Sequence, residues 1–132
     1  MSNLDLIRKA KELNLKNFRG VFMRDELKNM VPDYQECGIL NLNTSKQPGS
    51  HWVCWFKNGD KKYYFDSYGV VPPLEIVDYL KQPIIRNTTQ VQSFNQTICG
   101  QLCLYVLKRF SEGDSFINIE SDLYIINGGR KF

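Results

Sequence analysis

The sequence predicts an α+β fold, a small mixed β-sheet packed on a central buried helix. Three stretches carry that expectation. A capping box opens an amphipathic segment at the N-terminus, an Asn-Gly pair joins two aromatic-rich runs near the middle, and Cys99 to Phe110 is almost continuously apolar. The first and last have the length and pattern of helices, and the middle one reads as a β-hairpin.

Taken in order, Ser2 with Asp5 three positions on can exchange backbone bonds at a helix start, and Leu6, Ile7, Ala10 and Leu13 fall on one face. Arg8, Lys9, Lys11 and Lys16 occupy the other, which reads as a solvated surface. Phe18 to Phe22 is short and apolar, Arg24 to Leu27 looks like a brief helical turn before Val31-Pro32, and Cys37 to Leu42 fits a strand. His51 to Phe56 and Lys62 to Asp66 favour β-structure, with Asn58-Gly59 as a type I′ turn between them. That turn sets a register: Lys57 faces Asp60, Val53 faces Tyr64 and His51 faces Asp66. Pro73 suits the first position of a helix through Leu80, with Leu74, Val77 and Leu80 turned to the core. Ile84-Ile85 and Thr89 to Phe94 are short strand candidates. The Cys99 helix is stopped by Gly113, Phe116 to Ile126 is helical or extended, and Asn127-Gly128-Gly129 closes the chain.

Composition narrows the function. A length of 132 residues fits a single domain, residues 1–132, and 42% hydrophobic with 23% charged residues excludes disordered and fibrous classes. With 17 Lys and Arg against 14 Asp and Glu, the net charge of +3 is too small to argue nucleic-acid binding. No apolar run approaches the ~18 residues of a membrane span. The N-terminus also lacks a signal-peptide pattern, so the chain is expected in a reducing compartment, its cysteines mostly thiols. Cysteines at 37, 54, 99 and 103 give no C-x-x-C, and one histidine cannot build a two-His site, so no metal is expected.

Directly opposed residues of an antiparallel pair have Cβ atoms roughly 4.5–5.5 Å apart, close enough for the Asp66 carboxylate to hold one nitrogen of His51 and free the other as a base. Read blandly, the two are a cross-strand ion pair. Cys99 stands where the polar run Gln92 to Thr97 passes into the apolar helix, and a helix N-terminus favours a thiolate there. Together, a His–Asp pair, a helix-start Cys and an upstream Gln form the parts of a Cys-dependent acyl transferase. Cys37, Cys54 and Cys103 read as packing residues.

His51-Trp52, Tyr64-Phe-Asp-Ser-Tyr-Gly69 and Val91-Gln92-Ser-Phe-Asn-Gln-Thr-Ile-Cys99-Gly100 resemble the adenovirus endopeptidase (adenain) family, with relatives in large DNA viruses and Maverick or polinton transposons, and more distantly the SUMO-specific proteases. The chain order His, acid, Gln, Cys is that clan's signature. The resemblance implies a papain-like, adenain-like cysteine protease architecture in which the buried helix carries the nucleophile. Its site would be His51 as general base, Asp66 orienting it, Cys99 as nucleophile and Gln92 as oxyanion donor, with Trp52 lining the substrate channel. Gln96 is the competing donor. Asp66 stands where the adenoviral enzymes carry Glu, and no Cys lies between Cys54 and Cys99 to take a disulfide-linked activating peptide.

The implied activity is an endopeptidase that needs no cofactor and cuts viral or transposon-encoded precursors after Gly-Gly or small residues. Its partner is a protein or peptide substrate. A DNA or peptide activator finds no support in the sequence, no membrane is implied, and a monomer is expected. If the source is viral, the virion or the host nucleus or cytoplasm is the expected location, and otherwise the cell interior. Ile126-Asn-Gly-Gly129-Arg130 fits the same consensus, so Gly129–Arg130 is a candidate processing site, with a flexible tail as the plain reading. A deconjugating isopeptidase for a ubiquitin-like protein shares the chemistry, and an inactive peptide-binding homologue is the non-enzyme alternative.

Overall fold

The computed structural model describes residues 1–44, 51–91 and 98–126. Five strands form one mixed sheet whose spatial order is the chain order, β1 (Phe18–Met23), β2 (Gln35–Asn41), β3 (Trp52–Asn58), β4 (Lys61–Phe65) and β5 (Ile85–Arg86). The β1–β2 and β4–β5 pairs are parallel, and the two between them are antiparallel. Among the described residues four α-helices accompany it: α1 (Asn3–Glu12), α2 (Leu74–Leu80), α3 (Cys99–Ser111) and α4 (Phe116–Ile126), with a 3-10 turn at Arg24–Asn29 leading from β1 towards β2.

Side-chain alternation loads both faces of the sheet. On one face Cys37, Ile39, Cys54 and Phe65 pack with Leu6 and Ala10 of α1, Cys103, Val106 and Leu107 of α3, and Ile119 and Leu123 of α4. On the other, Leu40, Val53, Trp55 and Tyr64 meet Leu27 of the 3-10 turn and Ile76, Tyr79 and Leu80 of α2. A strand buried on both faces must be apolar at consecutive positions, and so β3 opens Trp-Val-Cys-Trp. The expected capping box at Ser2 and Asp5 forms, with reciprocal bonds of 3.1 and 2.9 Å.

Three expectations are corrected. Asn58 pairs with Lys61 and Trp55 with Tyr64, so the hairpin loop is Gly59-Asp60, and the ladder is displaced two residues from the register an Asn58-Gly59 turn would impose. Only Gly59 takes the left-handed φ, at 62°, whereas a type I′ turn asks it of both loop residues. The turn instead docks on Tyr34, whose carbonyl accepts the Gly59 N–H at 2.7 Å. In α2 the buried residues are Ile76, Tyr79 and Leu80, while Leu74 is 72% exposed, because Pro73 sits one position outside the helix as its N-cap. Thr89 to Val91 form no strand, and residues 92–94 of that candidate lie outside the described residues. Among the described residues no helix is long and apolar enough to cross a membrane, and no group of His, Cys, Asp and Glu could hold a metal ion.

Candidate active site

His51 and Asp66 lie just beyond the paired ends of β3 and β4, on neighbouring strands. Continuing the observed ladder sets His51 opposite Tyr68 and Val53 opposite Asp66, so His51 reaches Asp66 as a diagonal neighbour on one face. The imidazole Nε2 is 2.7 Å from Asp66 Oδ1. A carboxylate only accepts, so Nε2 carries the proton and Nδ1 is the nitrogen left for chemistry. Nδ1 is buried and has no hydrogen bond of full geometry among the described residues. Cys99 is the neighbour that acts with Asp66 on the imidazole, shifting His51 upward and being itself shifted downward.

Cys99 is the first residue of α3, 7% exposed. Burial pushes its thiol up, but the His51 imidazole and the backbone N–H groups of Trp52 and Gly100 more than offset this, leaving the pKa below the ordinary cysteine value. For His51, burial pulls downward, while the Asp66 carboxylate and the neighbouring Cys99 raise the imidazole to about 9. Between those values the pair is a thiolate beside an imidazolium, the reactive form of a cysteine nucleophile. Cys37 and Cys103 show the contrast: burial pushes the first up to about 12 and raises the second well above its ordinary value. All four cysteines are free.

Asp66 is itself held from several sides. Its Oδ1 also accepts the Tyr68 N–H at 2.8 Å, an Asx turn, and its carbonyl accepts the Gly69 N–H at 2.8 Å. Buried Asn87, just past β5, accepts the Asp66 N–H on Oδ1 at 3.0 Å and donates from Nδ2 to the Asp66 carbonyl at 2.6 Å and to that of Thr89 at 3.2 Å. The Tyr68 ring lies over the imidazole, centroids 4.2 Å apart and planes 13° apart. Sequence reasoning missed Tyr68 and Asn87. The turn signature Asp-Ser-Tyr-Gly was a signal for the first; the second had none, since it depends on how β5 meets β4.

Trp52 meets the site with its backbone. Its side chain is 6% exposed in the core beside α3, and a methyl group on Gly100 would come within 3.5 Å of the indole. Thus the structure brings His51, Asp66, Cys99 and the Trp52 N–H together. Gln92, its competitor Gln96, and Gly129 and Arg130 lie outside the described residues. The residue before Gln92 is anchored beside the acid, with the Val91 N–H donating to the Ser67 carbonyl at 2.8 Å.

No family model matches the chain, and no curated protein sequence matches it. Solved structures do. The crystal structure of the ASFV pS273R protease is 17% identical, with a TM-score of 0.67 over 96% of this chain and 65% of that one. HopZ1a, crystallised in complex with IP6 and CoA, is 14% identical, with a TM-score of 0.56 over 84% of this chain and 42% of that one. The chain therefore spans less than two thirds of either. At these identities the likeness is one of fold: the chain shares the fold of the ASFV pS273R protease and of HopZ1a, and nothing in the matches singles out the adenoviral branch.

Proposed function

We propose that this chain is a cysteine endopeptidase of papain-like layout, cutting viral or transposon-encoded precursors after Gly-Gly or another small residue. One observation carries the reading. A thiol at a helix start is drawn below its ordinary pKa by an imidazole whose far nitrogen rests on a buried carboxylate. In the proposed reaction the Cys99 thiolate attacks the amide carbon, and the electron pair of the C=O bond moves to oxygen. Collapse of that oxyanion expels the amine, which takes the Nδ1 proton of His51, and leaves a thioester. His51, now neutral, takes a proton from water as the water attacks. The acid is released, and the thiolate returns.

The oxyanion would be held by the Cys99 N–H and the Gln92 side chain, each donor contributing about 3–4 kcal/mol in comparable sites. Trp52 would shape the wall beside the sulfur. Cys99→Ala is expected to abolish both cleavage of a Gly-Gly reporter peptide and iodoacetamide labelling at this position; full cleavage by that variant would remove the nucleophile. If Gly129–Arg130 is a processing site, mass spectrometry of an active preparation will show loss of residues 130–132. Retention of the tail while the reporter is cut would end that idea.

A second reading keeps the same thioester. The fold is shared with HopZ1a, whose structure holds CoA, and attack of the Cys99 thiolate on an acyl-CoA thioester would load the acyl group on Cys99 and release the CoA thiolate. Incubation with acetyl-CoA separates the two: a stable mass increase on Cys99 with no peptide cleavage favours transfer. For an isopeptidase, cleavage of a ubiquitin-like fusion far faster than of the free peptide is the distinguishing result.

A further inference from the structure

Tyr68 takes no part in the chemistry above, yet it touches two of its members. Its ring is stacked on the His51 imidazole, and its backbone N–H shares with His51 Nε2 the same oxygen of Asp66. We propose that Tyr68 is a positioning residue, which through this stack holds the imidazole in the orientation that presents Nδ1 to Cys99 and favours its protonated form. The inference rests on the reading of Cys99, His51 and Asp66 as the catalytic groups.

A single hydrogen bond at Nε2 fixes one point of the ring and leaves it free to tilt about that point. Tilting would carry Nδ1 away from the sulfur. A nearly parallel aromatic face at 4.2 Å opposes it, because any tilt drives one edge of the imidazole into the phenol ring. The face of a tyrosine is also electron-rich, so it attracts an imidazolium more than a neutral imidazole.

Among the described residues, the titratable groups facing His51 are Asp66 and Tyr68, from the loop after β4, and Cys99, from α3. The first and last already raise the imidazole to about 9 against the pull of burial, and the stack works in their direction. One short segment therefore supplies both the acid and the cap. The Asx turn makes them a unit, since the bond to Asp66 Oδ1 fixes the backbone from which the ring projects.

The chain contains one histidine, so a single imidazole resonance reports the effect. The experiment is an NMR titration of His51 in the wild type, Tyr68→Phe and Tyr68→Leu, with iodoacetamide labelling of Cys99 at pH 6 alongside. Tyr68→Phe keeps the face and is expected to keep the midpoint. Tyr68→Leu is expected to lower it by roughly half a pH unit or more and to slow labelling several-fold. A purely structural role would lower the melting temperature and leave the midpoint where it was. Should Tyr68→Leu fail to fold, Tyr68→Gln serves, being similarly long and without a ring. A folded variant lacking the ring with the wild-type midpoint overturns the inference. If the wild type itself shows neither a raised midpoint nor labelling at pH 6, the catalytic reading fails with it; if it shows both and the ringless variant does too, only the role of Tyr68 falls.

Discussion

The opposed shifts of Cys99 and His51 set a window of pH. The Cys99 thiol sits below its ordinary value and the His51 imidazole is raised to about 9, so the ion pair exists between the two. Its contribution to stability carries both signs. The histidine part is fully present below the unfolded value of about 6.5 and is lost as pH rises through the folded one; the cysteine part is present above the unfolded thiol value and lost as pH falls through the lowered one. Labelling of Cys99 should therefore persist at pH 6, where an ordinary thiol of pKa about 8.5 is nearly all protonated. An acid limb at 8.5 or above would show the thiol to be unactivated. Asn87 offers a second test. Asn87→Ala removes both bonds to the Asp66 backbone inside the core and is expected to cost about 2 kcal/mol by chemical denaturation, with loss of kcat. His51, Asp66 and Cys99 were legible because their types and order are unusual together. For Tyr68 the Asp-Ser-Tyr-Gly run signals the turn but not the ring's partner, because facing His51 depends on the ladder's true register.

That register is an element-scale matter. A slip of one residue exchanges the faces of a strand, but a slip of two restores them, so alternation in β3 and β4 fits the observed pairing and the expected one equally well. What separates them is the contact of Gly59 with Tyr34, and no local pattern encodes it. The facing strand is more exacting. Gly38 of β2 lies opposite Trp55, and a Cβ there would stand 2.3 Å from the indole Cη2. The indole has no room to withdraw, since its Nε1 donates to Glu36 Oε1 at 2.8 Å and Tyr79 packs edge-on at 5.7 Å between centroids. Gly38→Ala is thus expected to cost about 3 kcal/mol in urea unfolding, and a loss below about 0.5 kcal/mol would mean that the ring swings aside. Glu36 is the pin of this face. It is buried, and besides Trp55 it accepts from the Tyr79 hydroxyl at 2.6 Å, Arg19 at 3.3 Å and the Asp33 N–H. Glu36→Ala would strand these donors and is expected to lose about 3 kcal/mol. The Tyr79 hydroxyl ties α2 to this pin, and with Pro73 outside the helix as its N-cap, Leu74 is left facing solvent.

At the scale of the molecule, the sheet and α3 hold each other in place. The α3–β3 contact is extensive, α1 closes over it through the Lys108 bond to the Leu13 carbonyl at 3.1 Å, and Arg109 ties α4 to it through Asp122 at 2.8 Å. The mixed sheet and its helices were foreseeable, because a doubly buried strand, a capped helix and a long apolar helix each leave a local trace. The parallel pairing of β1 with β2 leaves none, because nothing within either segment sets its direction. Each strand nonetheless pairs only with its neighbours in sequence, which favours early closure of the sheet. In refolding followed by pulsed hydrogen exchange, the β3 and β4 amides should gain protection no later than those of α3; protection of α3 first would contradict this. The same strand order has a consequence for a chain leaving the ribosome. The base and its carboxylate belong to a hairpin made early, while the sulfur arrives on a helix made after all five strands. Under the proposed function, a nascent chain would then carry an assembled but harmless dyad, and would gain its nucleophile only when the last layer docks.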